Sequence, residues 1–209
     1  MLTVACMLRT GGEYKPEHVY ALRRSVVRFL ARPHRFECLT DATMMTGFTM
    51  PLRHDWPKWW PKIELLHPGL FSGPVLYLDL DTVLVDDISP LADLAESGAF
   101  VMNRDFYHPT RVNSALMCWT GDALSPIYER MLVDPGRIML SHKRGGDQAF
   151  MADCIAAGLI PEPTRWQDAL PGAVVSYKVD VRPTGKVPRE ARICCYHGVP
   201  RPWEAPIAA

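Results

Sequence analysis

Apolar residues come along this chain in two rhythms. Leu2-Thr3-Val4-Ala5-Cys6-Met7-Leu8 is an almost unbroken apolar run, closed by the glycine-containing loop 9–15. Such a run predicts a strand covered on both faces. Pro16 then stands where a first helical turn tolerates proline, and Val19, Leu22, Val26, Val27 and Leu30 follow at helical spacing, with Arg23, Arg24 and Arg28 off the stripe. His34 to Leu39 reads as a second strand, and residues 74–78, 99–102 and 112–119 as further strands. Helices are expected at about 62–66, after Pro90, at about 123–132, and from Gly145-Gly146 through Ala157. Short strands follow at 173–177 and 192–196, within a proline-rich stretch. Residues 42–60 show no regular period, and His54-Asp55-Trp56-Pro57-Lys58-Trp59-Trp60-Pro61 is a loop dense in aromatics and proline.

Strands alternating with helices predict an α/β domain, with a mixed, mostly parallel central sheet and helices on both faces. The expected organisation is one domain over residues 1–204 and a loose tail over 205–209. A length of 209 residues suits one such domain with a sizeable core. The formal net charge is +0, so no overall basic field draws nucleic acid or an anionic membrane. No apolar run approaches the ~20 residues that cross a bilayer. The amino-terminal run lacks a basic start and a small-residue cleavage site, so it reads as a strand and not as a leader. Six cysteines contain no C-x-x-C pair, and four lie in apolar strand-like runs. They are expected to be reduced and buried, which implies a cytoplasmic protein.

Chemistry enters at Val75-Leu76-Tyr77-Leu78-Asp79-Leu80-Asp81-Thr82-Val83-Leu84-Val85. A buried strand ends in two carboxylates one residue apart, and nothing in folding requires both. An acid at a strand end can be a turn former. Two oxygen ligands projecting from a strand's carboxyl end also suit Mg2+ or Mn2+, and such a metal suits a substrate carrying phosphates.

Further features follow in order along the chain. They are the polar loop with Tyr14, then Trp60-Pro61-Lys62, Arg111-Val112-Asn113-Ser114-Ala115-Leu116-Met117, Gly145-Gly146-Asp147-Gln148 and His197-Gly198-Val199-Pro200-Arg201-Pro202-Trp203. Together with the acid pair they resemble the family 8 glycosyltransferases, which include glycogenin and bacterial lipopolysaccharide glycosyltransferases. The likeness runs from about residue 2 to residue 203. It implies a nucleotide-diphospho-sugar transferase (GT-A) fold and transfer of a sugar from a nucleotide-diphosphate sugar, UDP by the likeness, to an acceptor hydroxyl with retention.

Carried over residue by residue, the likeness implies that Asp79, Asp81 and His197 hold Mn2+ or Mg2+. It implies that Leu8, Thr10 and Tyr14 hold the nucleobase and ribose. Lys62, Leu80, Gly198 and Arg201 complete the donor-binding set. Asn113 lies beside the donor sugar, and Asp147 and Gln148 form the polar pair at the reacting centre. Three departures stand out. The carboxy-terminal segment is two residues shorter than the family's, Arg201 replaces a lysine, and Ala115 replaces a glycine.

Two other classes remain open on the residues. Leu78-Asp79-Leu80-Asp81-Thr82-Val83 also fits the first motif of haloacid-dehalogenase-type phosphatases, with Asp79 as nucleophile, Asp81 as acid/base and Asp147 with Asp153 as a late acidic motif. The alternative is a nucleotide-sugar binding module without catalysis. The acceptor (glycan, protein, lipid or modified nucleobase) and the oligomeric state are not legible.

Overall fold

The computed structural model describes residues 1–43, 45 and 47–207. In chain order its elements are β1 (Leu2–Leu8), α1 (Pro16–Phe29), β2 (His34–Thr40), β3 (Thr49–Pro51), a 3₁₀ segment (Trp60–Leu66), β4 (Pro74–Leu78), β5 (Thr82–Leu84), α2 (Ser89–Glu96), β6 (Val101–Arg104) and β7 (Val112–Thr120). There follow α3 (Ser125–Val133), α4 (Pro135–Ser141), α5 (Gly146–Ala156), β8 (Thr164–Arg165), α6 (Trp166–Ala169), β9 (Val174–Ser176), a π-helical turn (Tyr177–Val181) and β10 (Ile193–Cys195).

Seven strands form one sheet in the order β3-β2-β1-β4-β7-β6-β8. β1 lies parallel to both β2 and β4, so the carboxyl ends of all three open on the same side. β7 then runs antiparallel to β4 and to β6. The unbroken apolar character of β1 has its cause here. Val4, Cys6 and Leu8 meet Val19, Leu22 and Val26 of α1 on one face, while Ala5 joins the cluster of Ile63, Ile127, Met131 and Phe150 on the other. A second, three-stranded sheet has the order β5-β10-β9 and packs its own small apolar cluster around Val175, Val181, Cys194 and Tyr196. The turn holding Asp79 and Asp81 is therefore the joint between the two sheets.

All six cysteines are free and buried. Cys195 faces the cluster of α1 and α2, and its neighbour Cys194 faces the small one, as strand alternation requires.

Several elements differ from their expected form. The helix expected at 62–66 is a 3₁₀ segment, Trp60–Leu66, with proline in its first turn and all seven residues buried. The strand expected at 99–102 is displaced to Val101–Arg104, with a register shift between Met102 and Asn103. The run at 173–177 gives three strand residues before the π-helical turn. Helix α4 was not foreseen because it buries no residue and so has no apolar stripe to reveal it. Its start is set by Asp134, whose side chain accepts from Arg137 N at 3.0 Å. The tail expected over 205–209 lies in part, at residues 208 and 209, outside the described residues.

Candidate active site

The acid-bearing turn is tied to both sheets. Asp79 N donates to the carbonyl of Ala115 on β7 at 2.9 Å, and the carbonyl of Asp81 accepts from Tyr196 N at 3.0 Å. Both carboxylates look into one cleft of about 860 Å³. Thr10, Tyr14, Lys62, Leu80, Asn113, Asp147, Gln148, His197, Gly198 and Arg201 line the same cleft. Residues nearly 190 positions apart in sequence thus meet at the carboxyl ends of the central strands, the side of an open α/β sheet where ligands bind. Leu8 is the exception. Its side chain is fully buried in the core, and Met7, pointing the other way along β1, faces the cleft.

Lys62 is the centre of the charge arrangement. Its stem is buried by the 3₁₀ segment, and its ammonium lies 3.0 Å from Asp79, 3.3 Å from Asp147 and 3.2 Å from the Ser114 hydroxyl. Ser114 in turn donates to Asp147 at 2.8 Å. Burial pulls the lysine's pKa down, but the charges of Asp147 and Asp79 outweigh it and the net shift is upward. Lys62 is therefore a fixed cation. Asp79 is pushed up by burial, against the pull of Lys62 and of the Tyr77 hydroxyl that donates to it.

Asp81 accepts from the Tyr14 hydroxyl at 2.9 Å and from the guanidinium of Arg201. Burial and the nearby charge of Asp79 push it up to about 7 in spite of both donors. Arg201 also grips Glu13, and its guanidinium lies 5.0 Å from the centroid of the Tyr14 ring. Gln148 accepts from Ser114 N at 3.4 Å and donates to Asp105 at 3.3 Å. The side-chain oxygen of Asn113 accepts from Ala115 N at 3.0 Å.

His197 lines the cleft, but its Nε2 is 2.6 Å from the Ser176 hydroxyl. That hydroxyl oxygen already accepts from Lys178 N and Val179 N, so its own proton is directed at the imidazole. The ring stacks on Phe106 at 5.2 Å, and burial lowers its pKa, which keeps it neutral at pH 7. Among the described residues no three His, Cys, Asp or Glu side chains converge as a metal cage. The expected three-ligand grip of Asp79, Asp81 and His197 is thus not assembled in this arrangement. The donor set that faces the cleft is a carboxylate pair, which fits Mg2+ or Mn2+ when phosphate oxygens supply further ligands.

Tyr77, Ser114, Ser176 and Glu13 were missed by sequence reasoning. Ser114 follows Asn113 and Glu13 precedes Tyr14, so motif adjacency could have flagged those two. Tyr77 and Ser176 sit inside apolar strands and carry no local signal.

No protein-family model matches the sequence, and no curated protein matches it. Solved structures do. The glycosyltransferase GlyE of Streptococcus pneumoniae superimposes with a TM-score of 0.65 at 12% identity, over 98% of this chain and 57% of its own. The galactosyltransferase LgtC, solved in complex with donor and acceptor sugar analogues, superimposes with a TM-score of 0.64 at 13% identity, over 98% of this chain and 90% of its own.

This chain has the GT-A fold.

At that level of identity the likeness establishes the architecture, and the chain spans little more than half the length of GlyE. Within the GT-A fold seen here, the acid pair leaves the central sheet at β4, and the segment carrying His197, Gly198 and Arg201 returns to it from β10. No helix among the described residues is long and apolar enough to cross a membrane.

Proposed function

We propose that this protein is a glycosyltransferase of the family 8 kind, moving a sugar from a nucleotide-diphosphate sugar to an acceptor hydroxyl. UDP is the proposed nucleotide, Mn2+ or Mg2+ the proposed cofactor, retention the proposed outcome and the cytoplasm the proposed compartment. The observation that supports this most is the convergence of Tyr14, Lys62, Asp79, Asp81, Asp147 and Arg201 on one cleft of a GT-A fold.

In this reading Tyr14 and Thr10 border the nucleoside, and Arg201 and Lys62 face the diphosphate. A divalent ion, when bound by Asp79 and Asp81, would offset charge on the leaving diphosphate. Lys62, locked between two acids, is already in place where that charge develops and needs no reorganisation. The acceptor oxygen forms the new bond to the anomeric carbon while the bond to the diphosphate oxygen breaks, its electron pair leaving with the diphosphate. The acceptor's proton passes to the departing phosphate oxygen on the same face. Asp147, which accepts from Ser114 and is paired with Lys62, faces the reacting carbon in this reading and offsets positive charge there.

The phosphatase reading asks Asp79 to be a free nucleophile. That nucleophile normally ends a first strand, whereas Asp79 follows the fourth, β4. A screen of UDP- and GDP-sugars for Mn2+-dependent hydrolysis tests the proposal. Slow release of nucleotide from one sugar nucleotide, lost in Asp79→Ala, is expected. Turnover of a simple aryl phosphate without action on any sugar nucleotide would overturn it.

A further inference from the structure

The donor-binding residues leave one end of the cleft unused. Contacts run in a row from Arg201, Glu13 and Tyr14, through Asp81 and Asp79, to Lys62, Asp147 and the adjoining Gly146. Beyond Gly146 lies Trp59. A Cβ on Gly146 would fall 2.0 Å from the Trp59 indole nitrogen, so the glycine is what lets the indole sit against the start of α5, and its φ of +59 would disfavour a side chain in any case. Trp59 is 39% exposed, lines the cleft and has no side-chain hydrogen bond among the described residues. A partly exposed indole in the wall of a cleft, packed against the glycine that precedes Asp147, can serve as a platform for a sugar ring.

The charge at this end has a sign. Four acids line the cleft, and each is already engaged: Glu13 and Asp81 by Arg201, Asp79 and Asp147 by Lys62. Of the cations lining it, Arg9 is paired with Asp41 and Asp55. Lys58, next to Trp59 in the chain, and Arg144, two residues before Gly146, also line the cleft, are exposed and have no ion pair among the described residues. Lys58 also holds a φ of 58, the left-handed region that glycine fills at less cost. A lysine kept in a glycine-like turn at a cleft is an outlier of the kind that accompanies function. Its ammonium lies 5.4 Å from the Trp59 ring centroid, so charge and platform form one surface.

We propose that the Trp59 end of the cleft is the acceptor subsite and that it takes a glycan carrying an anionic group. The sugar ring lies on the indole, and its phosphate or carboxylate is met by Lys58 and Arg144. This rests on the glycosyltransferase reading for the identity of the donor end, but the binding it asserts can be measured without turnover.

The test compares trehalose with trehalose 6-phosphate by calorimetric titration, with and without saturating UDP. The phosphorylated sugar is expected to bind at least tenfold tighter in both conditions. Lys58→Ala with Arg144→Ala should remove that difference, and Trp59→Ala should weaken both sugars, with thermal melts confirming that the variants fold. Equal binding of the two sugars, or a preference untouched by the double variant, would overturn the inference. So would displacement of the phosphorylated sugar by UDP, which would place it on the donor's phosphate site. Failure of UDP itself to bind would count against the donor reading alone, because the sugar comparison without UDP remains readable.

Discussion

Replacing Lys62 with methionine keeps the buried stem and removes the charge at the centre of the site. Asp79 and Asp147, 3.0 and 3.3 Å from the ammonium, would then face each other with no cation between them. Both are shielded, with side chains 27% and 7% exposed, so solvent compensates little. Removing one partner of a buried ion pair costs roughly 3–5 kcal/mol. For a domain of this length each kcal/mol lowers the melting temperature by about 2–4 °C, so a fall of roughly 6–20 °C is expected.

The pH dependence carries the sign. Asp79 already has a pKa above that of the unfolded chain, and losing Lys62 raises it further. An acid with a raised folded pKa favours the native state below its unfolded pKa and loses that advantage as pH rises through the folded value. The deficit of Lys62→Met relative to wild type, measured by urea melts of the ligand-free protein, should therefore be larger at pH 8 than at pH 5. A deficit under about 1 kcal/mol, the range of an exposed pair, would refute the reasoning. So would a deficit equal at both pH values.

Other outcomes can be stated briefly. Arg201→Ala removes charge-assisted bonds worth roughly 1.5–3 kcal/mol each from the proposed diphosphate site, so UDP affinity should fall about tenfold to a hundredfold; unaltered affinity in calorimetry would contradict that role. Asp81 holds its proton up to about pH 7, and that proton must leave before a cation binds. Mn2+ affinity should thus fall as pH drops below 7 and level off above it, and a flat profile from pH 5 to 8 would count against Asp81 as a ligand. In the ligand-free protein the same carboxyl favours the native state below its ordinary value of 3.8, an advantage lost as pH rises towards about 7. Gly146→Ala should destabilise strongly through Trp59. Combining it with Trp59→Ala should recover the steric part in urea melts and leave about 1 kcal/mol from the left-handed backbone.

The central strands were legible because burial on both faces writes itself as an apolar run, as in β1 and β4. The acid pair was legible for the opposite reason, as polarity that such a run does not need. What escaped was geometry with no local cause. Leu8 belonged to the right loop, yet the two-residue alternation of β1 sends its side chain into the core and turns Met7 to the cleft. Arg201 was singled out for phosphate, but its present hold on Asp81 joins residues 120 positions apart. The imidazole of His197 was expected on a cation, and its attachment to Ser176 depends on a turn whose two backbone amides orient that hydroxyl. Short elements such as β3, which ends on Pro51, hold too few residues to show a period.

Because the acid-bearing turn is the hinge pin between the large sheet and the small one, any ligand that clamps Asp79 and Asp81 also tightens the seam along which Leu84, Val174, Ile193 and Cys195 share the core of the large sheet. Amide protons of β9, which pairs with β10 on the side away from β5, should then exchange more slowly when the cleft is filled. Occupancy of the site would be felt as rigidity in the small sheet.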